Sequence, residues 1–409
     1  MKQERRYPPL TVTRKAEQSV LRGHPWIYGT EITGGGPCPD GELADVFGPR
    51  GVFLGTGFYN SHSKIRVRLI SRNANDRFDE AFFERRLRYA WEYRKAVLRA
   101  DELSCCRIVF GEADFFPGLT VDRFGPILVA QTLSLGIERI KPMLFRLLVG
   151  ILAQDGQKID GVYERNDSGL RDREGMEQGR GFFPLEGLPV PDSTRAVVTE
   201  NGIEYEVDFE NGQKTGFFLD QKYNRRAVAA LSRGRRVLDC FTDTGSFALN
   251  AAKAGAESVR GVDVSAGAVA AARQNAARNG LSDRVSFETA NVFDLLPALA
   301  ESGGHPYDLV VLDPPAFTKS RQTVANASRG YREINFCAMK LLPRGGYLAT
   351  CSCSHFMTED LFRNALEKAA ADARVSLRQI AARQQAPDHP ILWNVPETSY
   401  LKFFLFQVV

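Results

Sequence analysis

Four segments of the chain end an apolar run on residues that can do chemistry. Thr350-Cys351-Ser352-Cys353-Ser354-His355 sets two thiols and an imidazole at alternate positions. Val237-Leu238-Asp239-Cys240-Phe241-Thr242-Asp243-Thr244-Gly245 runs from an apolar strand into a Thr/Gly turn, and Gly261-Val262-Asp263-Val264-Ser265 puts a carboxylate at the next strand end. Leu312-Asp313-Pro314-Pro315-Ala316-Phe317 closes a third run on an acidic Pro-Pro turn. A strand that turns tightly into a helix offers backbone N–H groups to a ligand at the helix start. An acidic residue about twenty positions further on is placed to accept hydrogen bonds from both hydroxyls of a ribose. Asp239, Thr244, Gly245 and Asp263 therefore describe a nucleoside pocket, with an ordinary capping aspartate as the plain alternative. A thiol at such an edge is a nucleophile, a buried structural cysteine or, with His355, a zinc ligand of unusual spacing.

Two nucleotide readings fall away. A dinucleotide site needs G-x-G-x-x-G so that backbone can approach a pyrophosphate, and only Gly245 stands at this turn. Gly212-Gln213-Lys214-Thr215-Gly216 looks like a P-loop fragment but does not fit G-x-x-x-x-G-K-[ST]. What remains is a ligand with adenosine and no pyrophosphate.

The elements that must position these residues follow from periodicity. From Arg236 onward, strands alternate with helices: Arg236–Phe241, a helix from Ser246, Ser258–Asp263, helix 265–279, Val285–Thr289, helix 293–300, strand 307–313, helix 331–342 and Tyr347–Ser352. That alternation implies a doubly wound parallel sheet whose ligands lie beyond the carboxyl strand ends. Helix 359–371 and β-like segments 375–381 and 400–409 complete it. Upstream, a hairpin turns at Asn201-Gly202. Residues 74–190 read as α+β: a helix from Asp79 to about Arg99, a hairpin around Arg123-Phe124-Gly125-Pro126, a helix near 137–152 and a strand at 161–164. The polar, Gly-rich stretch 166–192 reads as a linker or functional loop. The first 72 residues hold short β-like runs and one short helix at 13–21. In Lys64-Ile65-Arg66-Val67-Arg68-Leu69-Ile70, alternation sends Ile65, Val67 and Leu69 inward and Lys64, Arg66 and Arg68 outward, a stripe that contacts phosphates or is simply solvated.

The 409 residues, 44% hydrophobic and 25% charged, exclude collagenous, low-complexity and mainly disordered classes. Net charge is +4, but residues 1–72 carry 11 Lys/Arg against 6 Asp/Glu, so the whole excess is N-terminal. A local basic surface suggests nucleic acid. The longest apolar stretch, Met143–Ala153, is interrupted by Arg146, and MKQERRYPPL lacks a signal-peptide core, so a cytoplasmic protein without a membrane partner is expected. The seven cysteines, at 38, 105, 106, 240, 337, 351 and 353, form no disulfide framework and are expected as thiols.

The strand-end pattern resembles the class I S-adenosylmethionine-dependent methyltransferases. That resemblance implies S-adenosyl-L-methionine as cofactor, held by Asp239, Phe241, Thr244, Gly245, Asp263 and Val264. Asn291 and Asp313 would join them, with Asn291 bonding the adenine amino group. Asp243 stands where that motif often has glycine. The D-P-P turn at Asp313 is typical of members that act on a planar nitrogen or base ring. In that setting the thiols gain a specific task. Carbon 5 of a pyrimidine is a poor nucleophile, and a thiolate adding to carbon 6 makes it enamine-like enough to attack a methyl sulfonium. If the strand runs through both, Cys351 and Cys353 share a face, and either serves.

Gly212-Gln213-Lys214-Thr215-Gly216-Phe217-Phe218-Leu219-Asp220-Gln221, Asn224-Arg225-Arg226, D-P-P-x-F and S-C-S together resemble the 23S ribosomal RNA large-subunit methyltransferase I family over essentially the whole chain. The resemblance implies a PUA-like RNA-binding β-barrel (residues 1–73), a central α+β domain (74–190) and a Rossmann-like catalytic domain (191–409). It implies 5-methylcytidine as product, Cys353 as nucleophile with Cys351 as spare, Asp313 at the cytosine edge, and Asp220 and Gln221 at the cleft. Trp26, in Gly23-His24-Pro25-Trp26-Ile27-Tyr28, joins Lys64, Arg66 and Arg68 as RNA contacts. The expected partner is 23S ribosomal RNA, free or partly assembled; a homodimer is left open and no metal is expected. Two alternatives stay open: N-methylation of a ribosomal guanine on the same fold, and a non-catalytic RNA-binding assembly factor.

Overall fold

The computed structural model describes residues 7–318 and 320–409. Lys2, Glu4, Arg5 and Arg6, part of the N-terminal charge excess, lie outside the described residues. The chain forms two compact units. One runs to Val198 and includes Val207–Leu219 and Pro387–Thr398; the other comprises Thr199–Glu206, Asp220–Ala386 and Ser399–Val409.

The first unit holds two sheets. The N-terminal sheet has six strands in the order Trp26–Tyr28, Ile65–Ser71, Phe53–Tyr59, Leu43–Phe47, Pro9–Val12 and Ile32–Gly35. Alternation holds for two of the three expected residues: Val67 and Leu69 join Val12, Ile27 and Val46 in one apolar core, while Ile65 is only partly buried. Helix Arg14–Leu21 is capped by Thr13, whose Oγ1 accepts the Ala16 N–H. The second sheet runs Gly179–Phe183, Gly161–Asn166, Ile127–Thr132, Leu119–Phe124 and Cys105–Phe110, and helices Glu80–Val97 and Leu135–Gln154 belong to the same unit. Asp79 starts the first helix by accepting from Phe82 N at 3.0 Å.

Here the structure corrects one expectation. Segment 166–192 is not a plain linker, because Gly179–Phe183 pairs antiparallel with Gly161–Asn166. Its polar residues are used inside the unit: buried Arg171 donates to Thr132 O and Glu138 Oε2, and buried Glu174 accepts from Ser63 and Asn60. Polarity had suggested a loop, and internal pairing of those groups makes it structure.

The second unit is a seven-stranded sheet: Val285–Thr289, Ser258–Asp263, Arg236–Cys240, Leu309–Leu312, Tyr347–Ser352, Lys402–Val408 and Leu377–Arg383. The first five are parallel and Lys402–Val408 is antiparallel to both its neighbours. All four residues of Leu309–Leu312 are buried, as a central strand covered on both faces requires. Helix Val324–Lys340 begins before the Tyr331 expected from apolar spacing. Helix Lys222–Ala229 was not foreseen, since its buried residues are Lys222, Asn224, Arg225 and Val228 and carry little apolar signal. The strand order reverses between Arg236–Cys240 and Leu309–Leu312, which opens a crevice at their carboxyl ends. All seven cysteines are thiols, and among the described residues no helix is long and apolar enough to cross a membrane.

Candidate active site

Three carboxylates converge on that crevice. Asp239 is fully buried; its Oδ2 accepts from Thr242 Oγ1 at 2.5 Å and from the Ala248 N–H at 2.9 Å. Its Oδ1 has no partner among the described residues. Asp263 accepts the Asp243 N–H at 3.0 Å on Oδ2 and the Ser265 N–H at 2.9 Å on Oδ1, so one side chain ties the first turn to the second strand end. Asp313 accepts from Gln221 Nε2 at 2.9 Å.

The first turn is built under strain. Phe241 and Asp243 both sit at positive φ, 63° and 49°, where side chains are disfavoured, and Asp243 takes the conformation that glycine would adopt freely. Gly245 is required twice over: its φ is 85°, and a Cβ there would meet Phe287 Cζ at 2.8 Å.

Burial pushes Asp239 up to about 7, with the Asp313 and Asp263 charges adding to the effect. Asp313 also rises to about 7, from burial first and the Asp220 carboxylate second. The folded unit thus holds protons that the unfolded chain has released between an ordinary carboxylate value near 4 and about 7. Its stability therefore falls as pH rises through that window. A cationic ligand placed against these carboxylates reverses part of that cost and drives protons off them. We expect S-adenosylmethionine, which carries a sulfonium and an ammonium, to bind more tightly as pH rises through about 7 and to release protons on binding. Calorimetry in two buffers of different ionisation enthalpy measures this; heats independent of buffer would contradict it. The partnerless Asp239 Oδ1 and the mutual repulsion of the cluster both fit such a ligand. Val264, 72% exposed, and Phe293, 38% exposed, leave apolar surface open next to the strand ends.

Asn291 is more committed than its sequence position suggested. It caps helix Val292–Glu301 by accepting from Phe293 N, and its amide donates to Asp294. One Oδ1 lone pair is therefore spent on the cap. Asp220, buried, accepts from the Tyr400 hydroxyl at 2.6 Å.

The thiols separate. Strand Tyr347–Ser352 ends between them, so the condition for a shared face is not met. Cys351 is fully buried, and burial together with the neighbouring Asp313 charge pushes its pKa well above the ordinary thiol value. Cys353 lies past the strand end, partly exposed, with its Sγ 3.9 Å from the Pro314 carbonyl. The D-P-P turn and the S-C-S end are thereby brought together. Tyr331, its hydroxyl 3.3 Å from Ser354 Oγ, and the Phe293–Phe317–Tyr331 ring series wall the same region.

Lys402 was missed because an isolated lysine in a C-terminal apolar run gives no signal. Antiparallel pairing sets it opposite Ser352, and its Nζ donates to Ser354 O at 2.7 Å and Tyr400 O at 2.8 Å. Burial pulls its pKa down to about 8, while the Cys353 charge works in the opposite direction. His355 is exposed, and among the described residues no group of three or more His, Cys, Asp or Glu is arranged to hold a metal ion.

The N-terminal cation stripe needs correction. Arg68 is not on an open face: its side chain is 11% exposed, 2.8 Å from Glu174 and 3.6 Å from Glu112. Its guanidinium also lies over the Trp26 ring at 5.8 Å, and Trp26 Nε1 donates to Glu112 at 2.8 Å. Two acidic residues far along the chain have taken both. Arg66 donates to Asn60 O and lies over Tyr59, while Lys64 is exposed.

Comparison with known proteins agrees with this architecture. The profile of the S-adenosylmethionine-dependent methyltransferase family matches residues 185–407, and that of the PUA-like domain matches residues 10–72. A "Ribosomal RNA large subunit methyltransferase I" of Klebsiella pneumoniae is 37% identical over 405 residues, covering 98% of this chain and 99% of its own. One of Shewanella denitrificans is 39% identical over 397 residues, covering 96% and 97%. In fold, the chain is similar to a candidate methyltransferase from Streptococcus mutans, with a TM-score of 0.80, 21% identity and coverage of 98% and 100%. A methyltransferase structure solved with SAH gives a TM-score of 0.81 at 21% identity, with coverage of 98% and 100%.

Proposed function

The chain belongs to the ribosomal RNA large subunit methyltransferase I family, and from that premise we propose that it forms 5-methylcytidine in 23S ribosomal RNA through a cysteine adduct at cytosine carbon 6. It is an S-adenosylmethionine-dependent methyltransferase of large-subunit ribosomal RNA. The observation that carries the finer reading is the position of Cys353, a partly exposed thiol held against the D-P-P turn beside Lys402.

In this reading Asp263 holds the ribose hydroxyls, and Asp239 with the turn 241–245 faces the methionine portion. Val264 and Phe293 flank the adenine, with Asn291 at its edge. When bound, S-adenosylmethionine supplies an electrophilic methyl group. Gln221 fixes the Asp313 carboxyl, which orients the cytosine edge. The Lys402 ammonium favours the Cys353 thiolate by opposite charge. The thiolate adds to carbon 6, and the electron pair moves to carbon 5, the carbon that is methylated. A base then removes the carbon-5 proton, the pair returns, and the bond from Sγ to carbon 6 breaks.

RNA affinity is assigned to the PUA-like residues 1–73, with a central domain at 74–190 and catalysis in 191–409. The base must leave its stack to reach Cys353. The site of action follows ribosomal RNA into the cytoplasm, and a homodimer remains compatible.

The test uses labelled cofactor and unmodified 23S ribosomal RNA, followed by nucleoside analysis. Label in 5-methylcytidine is expected. Label in a methylated guanosine would replace this reading with N-methylation, and no transfer despite cofactor binding would favour the assembly factor.

A further inference from the structure

Helix Glu80–Val97 buries one face through Phe83, Leu87 and Trp91 and leaves another that the catalytic reading does not use. Phe82, Arg85, Arg86, Tyr89 and Tyr93 recur at helical spacing and line one cavity of about 420 Å³ together with Phe115. Tyr89 is 64% exposed and Phe115 53% exposed, which is costly for large rings facing only water. Phe115 also holds φ at 61°, a backbone state that an aromatic residue rarely adopts. Arg86 supports it there by donating to the Phe115 carbonyl at 3.2 Å.

The cations are available. The Arg86 guanidinium lies 4.3 Å from the Phe82 ring centre and 5.5 Å from that of Phe115, and Arg85 lies 5.6 Å from Phe82. Among the described residues neither arginine has a carboxylate within ion-pair distance. Of the two acids in the cavity wall, Asp114 is held by both terminal nitrogens of buried Arg94, and Asp76, hydrogen-bonded by Ser71 and Asn73, acts on Arg86 only from beyond ion-pair distance. Burial pulls Arg86 down to about 10, a cost that an anion beside it would offset. A second cavity, of about 230 Å³, shares Arg86 and Phe115 and extends past His24 and Arg72. The Phe115 ring thus stands between two adjoining hollows.

Exposed rings beside unpaired guanidinium groups are the surface on which unstacked bases lie while arginines meet the phosphates. We propose that these adjoining cavities bind a single-stranded segment of the RNA substrate, with bases stacked on Phe115 and Tyr89 and phosphates at Arg85 and Arg86. The proposal rests on the ribosomal RNA reading and adds a place, outside the methyl-transfer site, where that RNA is held.

The test uses the full chain, a fluorescein-labelled single-stranded oligoribonucleotide read by anisotropy, and the same RNA carrying 4-thiouridine for photo-crosslinking. Phe115→Gly is the sharpest variant, because glycine accepts the positive φ and removes only the ring, so the melting temperature should hold or rise. Phe115→Gly and Tyr89→Ala are each expected to weaken binding about tenfold. Arg85→Gln should lower the salt dependence. S-adenosylmethionine affinity by calorimetry should stay unchanged, and crosslinks should fall within residues 76–93 or 113–115. Oligonucleotide binding within about twofold of wild type in both ring variants would overturn the site, as would crosslinks confined elsewhere. A change of oligomeric mass in the ring variants with RNA binding intact would instead mark an interface between copies, and also overturns it. Wild-type protein that methylates ribosomal RNA while these variants bind normally would refute only this site. Wild-type protein that neither binds nor methylates it would refute the underlying reading as well.

Discussion

Cys353→Ala is expected to reduce methyl transfer on the order of 10³-fold or more, about 4 kcal/mol of transition-state stabilisation, with cofactor binding intact. Without the thiolate, carbon 5 of cytosine stays a poor nucleophile, and no neighbouring group can substitute. Cys351 is the nearest candidate by sequence, yet it is fully buried, and that burial first, with the Asp313 charge second, raises its pKa well above the ordinary thiol value. Cys351→Ala should therefore retain the adduct chemistry and lose the packing of one small side chain and its hydrogen bonds with Asp313 and Gln221. RNA containing 5-fluorocytidine separates the two variants directly, since fluorine blocks the final proton removal and traps the adduct. A covalent complex stable on a denaturing gel is expected for wild type and Cys351→Ala, and none for Cys353→Ala. An adduct that persists in Cys353→Ala but vanishes in a folded Cys351→Ala would transfer the nucleophile to Cys351.

Glu200→Ala is expected to cost about 3–5 kcal/mol of stability. Glu200 and Arg225 are 0% and 2% exposed, and their side chains meet at 2.5 Å. Truncating the acid takes away the carboxylate that meets a buried guanidinium directly and leaves it to the weaker charge interaction with Asp220. At roughly 2–4 °C per kcal/mol for a unit of this size, the melting temperature should fall on the order of 10 °C. Replacing both partners by apolar residues, Glu200→Leu with Arg225→Met, should recover much of the loss, because it removes the desolvated charge altogether. It should still impair the site, since Arg225 is the cation that opposes the upward shift of Asp313. Denaturant titration of the single and double variants decides it: a single-variant loss below about 1 kcal/mol would show that the pair is not buried as described.

Both cases turn on where a residue sits relative to the end of an element, and that separates what could be read from sequence from what could not. Along Ser258–Asp263, the strand bounds were legible to the residue, because alternation, a terminal carboxylate and a following serine cap are all local signals. Along Tyr347–Ser352, the same reasoning found the strand but could not say whether it continued through Cys353. That one residue separates the fully buried thiol from the partly exposed one. Segment 166–192 failed for the opposite reason: its composition is that of a loop, and only pairing with Gly161–Asn166 makes part of it a strand.

By itself, the amino-acid sequence determined the doubly wound sheet, the three carboxylates at its strand ends, and the absence of glycines for a pyrophosphate. Each of these follows from spacing within about thirty residues, and backbone periodicity converts such spacing into position without further information. The tertiary structure alone decided which side chains were already occupied. Arg68 and Trp26 looked like an open basic face until Glu112 and Glu174 closed on them, and Lys402 looked inert until strand pairing carried it to Ser354 beside Cys353. Alternation says which way a side chain points. What it meets there is set by contacts between residues dozens to a hundred positions apart, and no local pattern encodes them.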